Sequence, residues 1–140
     1  MDEAGALLAG VERVHGDTLE ESLRKDVLRA KAKVAVAQGD SAAEAATLEE
    51  VLSIDPLDGD ALILLGQYYG RSEEPDKAAL YFERAAAISG FEADAMVRHA
   101  QMLVRDGKFK EAVPLLKQAQ TIKPRDAIQD YLEQVERRAR

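Results

Sequence analysis

The sequence predicts an all-α protein built from antiparallel helix pairs, and three observations carry that expectation. The 140 residues are 46% hydrophobic but only 5% aromatic, with four prolines, so the apolar mass is mainly Ala, Leu and Val, a mix that favours helix. The chain also repeats with a period of 34: Ile54, Ile88 and Ile122 fall in register, as do Asp26, Asp60 and Asp94. Pro56 and Pro124 lie two periods apart, and so do Gly39 and Gly107. Finally, each period holds two stripes of apolar residues at helical spacing.

Taken in order, residues 3–15 read as a short helix on Leu7, Leu8, Val11 and Val14, closed by Gly16. Domain boundaries follow as a 1–16 extension and a repeat domain over 17–140. Asp17 or Thr18 starts the next helix, with Glu21 completing a capping box from Thr18. That helix runs to about Gln38, with Leu28, Ala32 and Ala35 inward and Gly39 as its stop; Leu48 and Val51 mark its partner. Residues 59–92 place Leu62, Leu65 and Tyr69 on one helix and Ala78, Phe82 and Ala85 on the second, which Pro75 opens. Residues 93–126 repeat the plan with Met96, His99, Ala100 and Leu103, a stop at Gly107, then Ala112, Leu116 and Ala119. Residues 126–138 give a closing helix, with Ile128, Tyr131, Leu132 and Val135 inward and charges outward.

The row Leu62-Ile63-Leu64-Leu65 fits no single stripe. Four consecutive helical side chains fan over roughly 300° of the circumference. Two of them face the core and two face elsewhere.

Chemistry is sparse. There are no cysteines, which removes disulfides, thiolate nucleophiles and cysteine metal sites. The two histidines, His15 and His99, are far apart and form no metal-binding spacing, and His99 falls at an inward position. The acids Asp55, Asp58, Asp60, Glu73 and Glu74 stand where helix starts need them. No phosphate-binding loop occurs. The expectation is therefore no enzyme, no cofactor and no metal. A net charge of −7 argues against nucleic acid and anionic membranes as partners. No apolar run spans a bilayer, and acids stand where a signal peptide carries positive charge, so a cytoplasmic setting is expected.

Residues 25–126 resemble the tetratricopeptide repeat (TPR) family, as three repeats at 25–58, 59–92 and 93–126 followed by a capping helix at 126–138. The second supplies Leu62, Leu65-Gly66, Tyr69, Ala78, Phe82 and Ala85, with Gly90 where the family has proline. The third supplies Met96, Ala100, Leu103, Ala112, Leu116, Ala119 and Pro124, with His99 in place of a large apolar residue. The first supplies Leu28, Ala32, Leu48, Val51 and Pro56, departing at Lys31 and Glu44. The resemblance implies a right-handed superhelix, an α-solenoid, whose first helices line a concave groove for a partner's peptide or helix.

On the family's groove positions stand Arg29 and Lys33, then Ile63, Leu64, Gln67 and Arg71, then Val97, Arg98, Gln101 and Arg105. Five bases gather there in an acidic protein, around an apolar strip of Ile63, Leu64, Val97 and Val104. This favours a non-catalytic scaffold that binds another protein through an acidic or C-terminal peptide segment. The carboxylate clamp of chaperone-binding members is not reproduced: Leu64 and Asp94 replace two of its residues and only Arg98 matches. Two rival readings are self-association through the apolar strip or the N-terminal segment, and a regulatory domain cut from a larger protein.

Overall fold

The computed structural model describes residues 3–140, with side chains from residue 19 onward. Among the described residues there are seven helices and no strand: α1 (Glu3–Gln38), α2 (Ser41–Ile54), α3 (Gly59–Arg71), α4 (Pro75–Ala86), α5 (Glu92–Arg105), α6 (Phe109–Ile122) and α7 (Asp126–Ala139). The chain divides into two compact units, Met1–Ile54 and Asp55–Arg140.

The first unit is one helix pair. Leu28, Ala32 and Ala35 of α1 are buried with Leu48, Val51 and Leu52 of α2. The turn between them follows the two-bond pattern of a glycine-ended helix. Gly39, at φ 74°, donates to the Val36 carbonyl (3.1 Å), and Asp40 donates to that of Ala35 (2.8 Å). The Asp40 side chain then accepts from the Ala43 N–H (3.1 Å) and opens α2. The helix stop expected at Gly16 does not occur, since α1 is continuous from Glu3. A glycine inside a helix costs only about 1 kcal/mol relative to alanine, so it permits the helix to continue. The expected stripe of Leu7, Leu8, Val11 and Val14 lies outside the described side chains.

The second unit holds two helix pairs and the closing helix. α3 packs on α4, α5 on α6, α4 on α5, α6 on α7, and α3 also meets α5. Most expected positions are core, with Leu62, Leu65, Ala78, Phe82, Ala85, Ala100, Ala112, Leu116 and Ala119 all buried. Met96, expected inward, is half-buried, and Ala61, Tyr81, Ala93, Ala95 and Met102 join the core unannounced by the stripes. Small residues let backbones approach. At Gly66 an added Cβ would stand 2.7 Å from the Phe82 ring, so any larger residue pushes α3 and α4 apart. Asp58 is the N-cap of α3, accepting from the Ala61 N–H at 3.1 Å, and Pro75 begins α4. On α7, Ile128, Leu132 and Val135 are buried, whereas Tyr131, expected inward, is only half-buried.

The turn after α5 repeats the one after α1. Gly107, at φ 79°, donates to Val104 (3.0 Å) and Lys108 to Leu103 (2.7 Å). The turn after α3 makes its equivalent outer bond, Glu74 N–H to the Tyr69 carbonyl (2.9 Å), yet its left-handed residue is Glu73 at φ 61°. Glu73 therefore stands where the other two turns have glycine. A side chain there costs about 1–2 kcal/mol.

Two stability outcomes follow. Glu73→Gly removes that strain while loosening the unfolded chain by about 0.4–1 kcal/mol, so urea unfolding should show a net gain of about 0.5–1 kcal/mol. A β-branched Glu73→Val should instead lower the midpoint. Leu65→Ala, at a side chain with no exposed surface, should cost about 2–5 kcal/mol; a smaller loss in the same titration would mean that the core collapses around the gap.

Candidate peptide-binding cleft

The repeat writes one three-residue face twice, with the same Gln and Arg and with Leu64 where the next repeat has Arg98. Leu64, Gln67 and Arg71 stand at i, i+3, i+7 on α3, and Arg98, Gln101 and Arg105 stand 34 residues later on α5. That spacing keeps each triplet on one helix face. Because α3 and α5 lie against each other, the two faces form one cleft.

The cleft encloses about 150 Å³. Gln67 and Arg71 line it from α3, and Arg98, Gln101 and Arg105 line it from α5. Gly66, Gly70, Phe82 and Met102 complete it. Three guanidiniums and two amides thus surround a small space, and no carboxylate is among the lining residues. The Arg98 Nη1 stands 3.5 Å from the Gln101 Oε1, and the Arg105 Nε is 4.0 Å from the Asp106 carboxylate, both at the outer limit of such contacts. A Cβ at Gly70 would come within 3.1 Å of the Arg105 Nη2 and of the Met102 Sδ. The bare backbone at Gly70 is what lets the Arg105 head lie across α3.

The apolar strip is placed differently from the arginines. Leu64 is 38% exposed. Ile63, Val97 and Val104 are half-buried, and none of the four lines the cleft. Arg29 and Lys33 belong to α1 in the first unit. Lys33 is exposed; Arg29 is half-buried and pairs with Asp26 at 3.8 Å. Asp94, in register with Asp26, instead meets the Arg125 guanidinium at 2.9 Å. Sequence reasoning did not single out Arg125, because a contact spanning 31 residues leaves no local pattern. It also did not find Phe82 at the cleft, since that position read only as core, nor Met102, which fell on none of the expected stripes.

His99 stacks on the Phe82 ring, with centroids 5.5 Å apart and planes 17° from parallel. Burial pushes its pKa below the ordinary imidazole value, against a weaker upward pull from Glu83 and Glu111. This is the expected packing histidine.

Among the described residues, no cluster of side chains could hold a metal ion, and no helix is long and apolar enough to cross a membrane.

The tetratricopeptide repeat model matches residues 29–93 and 63–127, together well over half of the chain. No curated protein sequence matches. Among solved structures, the chain is similar to an O-GlcNAc transferase mutant from Thermobaculum terrenum, at 27% identity and a TM-score of 0.65. That match covers 76% of this chain but only 20% of the transferase chain. The N-terminal domain of stress-induced protein-1 from C. elegans matches at 14% identity and a TM-score of 0.68, over 81% of this chain and 97% of that one. The TPR domain of P58(IPK) matches at 17% identity and a TM-score of 0.69, over 97% of this chain and 36% of that one. The last two show the shared fold alone.

The histidine yields a pH test. The unfolded chain protonates His99 near the ordinary value of about 6.5, whereas the folded chain does so only lower. Stability should therefore hold above that value and fall as pH drops through it toward the lowered folded pKa. His99→Leu should flatten this part of the curve in urea titrations between pH 7.5 and 5 (about two units around the imidazole value); an unchanged slope would assign it to other groups. With twin helix pairs, buried small residues at the family spacing, and the matched family model over residues 29–127, the chain belongs to the tetratricopeptide repeat family.

Proposed function

We propose that the chain is a non-catalytic interaction module whose second unit holds an acidic peptide segment of a partner protein in the α3–α5 cleft. TPR repeats generally mediate protein–protein interaction, which sets the class of function. The observation that carries the finer reading is the cleft itself: Arg71, Arg98 and Arg105 converge on a small space with no lining carboxylate, in a chain of net charge −7. Guanidinium forks match carboxylates in a planar, two-bond fashion. Gln67 and Gln101 add neutral donors and acceptors suited to a peptide backbone. Leu64, partly open and one helical turn from Gln67, supplies an apolar anchor beside the charged space.

The size of the cleft limits the ligand to one or two side chains or a chain terminus at a time. An extended segment with an acidic residue or free C-terminus in the cleft, and an aliphatic residue over Leu64, meets every group named. The transferase match carries a catalytic protein's name, but this chain spans about a fifth of that length.

The test is binding of a fluorescent acidic peptide library, with free and amidated C-termini, measured by anisotropy. Hydrogen bonds to a charged group contribute about 1.5–3 kcal/mol, so Arg98→Glu should weaken binding by roughly ten- to a hundred-fold or more. Leu64→Asp should weaken it less, while circular dichroism keeps the native helicity. If Arg98→Glu and Arg105→Glu both fold and bind as the parent does, the α3–α5 cleft is not the site.

A further inference from the structure

α1 carries an apolar stripe that its own unit leaves open. Leu19, Leu23, Val27 and Val34 are 62%, 62%, 55% and 52% exposed. With Ala30 they recur at intervals of three and four, so they share one helix face about 22 Å long. The buried face, Leu28, Ala32 and Ala35, is on the opposite side. Beside Val27 and Val34 the stripe opens into a groove of about 490 Å³, walled on the α2 side by Ala43 and Thr47.

The repeat register says what such a face is for. Val27 and Val34 correspond, two periods on, to Ala95 and Met102 of α5. Those positions are 0% and 5% exposed, with α3 and α4 packed against α5. A first helix at this register is built to receive another helix layer, and α1 keeps large aliphatics there. Among the described residues the other exposed large aliphatics, Leu57, Leu64, Leu80, Ile122 and Val36, do not form a second stripe. The outward side of α7 is charged, with Asp130, Glu133 and Arg137 exposed. Head-to-tail stacking of copies would therefore set apolar against charged surface. The matching surface for this face is the same face on another copy.

Charge selects the direction. Glu20 and Lys31 flank the stripe on one side, near its two ends. Parallel pairing sets lysine level with lysine, whereas antiparallel pairing about a two-fold axis brings Glu20 of one copy toward the partner's Lys31, twice over. Arg24, midway, meets its own mate and tempers the gain. We propose that α1 mediates an antiparallel homodimer through Leu19, Leu23, Val27 and Val34.

The test is the molar mass of the full chain by light scattering, over a wide concentration range. A dimer is expected. Leu23→Glu with Val27→Glu should give a monomer that retains the parent helicity and the parent affinity for cleft peptides, which separates this proposal from the cleft reading. Glu20→Lys alone should weaken the dimer, and Glu20→Lys with Lys31→Glu should restore it; these exposed positions report pairing even if the glutamate variants disturb the first unit. A parent chain that stays monomeric overturns the proposal and leaves the face to a different partner. A dimer indifferent to the stripe variants overturns it too, by placing the contact elsewhere. A dimer that the charge swap fails to restore rules out the antiparallel arrangement.

Discussion

The second unit depends on the ring of Phe82. On one side it fills the space that Gly66 leaves bare, where even a methyl group would stand 2.7 Å away. His99 stacks on the ring as well, at 5.5 Å. One side chain from α4 thus touches α3 and α5 together and fixes their separation. The same ring lines the cleft. Interiors pack at crystal-like density, so a displacement here is transmitted rather than absorbed. The spacing of Arg71 from Arg98 and Arg105 is in this sense set by a glycine and a phenylalanine that form part of the cleft wall.

This arrangement also explains a protein that is acidic overall and basic at one place. Carboxylates are distributed along turns and helix starts, where backbone N–H groups and the helix dipole stabilise them. Asp58 does this for α3 and Asp40 for α2. The arginines of the cleft share a face with glutamines. Exposed ion pairs contribute little, with Asp94 to Arg125 one such case at 2.9 Å. The distribution of charge therefore contributes little to stability.

Much of the fold was legible because a period of 34 restates each core position. Ala78 and Ala112 are both buried, as are Phe82 and Leu116, Ala85 and Ala119. The stops at Gly39 and Gly107 were legible because a left-handed residue favours glycine strongly. Glu73 was read as an acidic turn and not as the third member of that set, since nothing in its residue type marks a positive φ. Gly16 misled for the converse reason: glycine permits a helix end without requiring one. The cleft was partly legible. Gln67, Arg71, Arg98, Gln101 and Arg105 come together as their register implies. Ile63 and Val97 do not join them, because each precedes the first lining residue of its helix, Gly66 on α3 and Arg98 on α5. The open stripe on α1 was not legible at all, since Val27 and Val34 occupy positions that are buried on α5.

The row Leu62-Ile63-Leu64-Leu65 shows how one short stretch divides its tasks. Leu62 and Leu65 are buried, Ile63 is half-buried, and Leu64 is partly open. The first and last are held by geometry, because a helix of this repeat must bury both to pack on its neighbours. The middle two are not so held, and a soluble surface would ordinarily put polar residues there. The period thus dictates the core and leaves a second set of positions, three and four residues apart, that the fold does not constrain. Gln67, Arg71, Gln101 and Arg105 occupy that set on α3 and α5. Substitutions there change what the surface meets without touching what holds it in place. A solenoid can therefore alter its ligand by side chains alone, provided that the ring of Phe82 and the bare backbone at Gly66 keep the two helices at their distance.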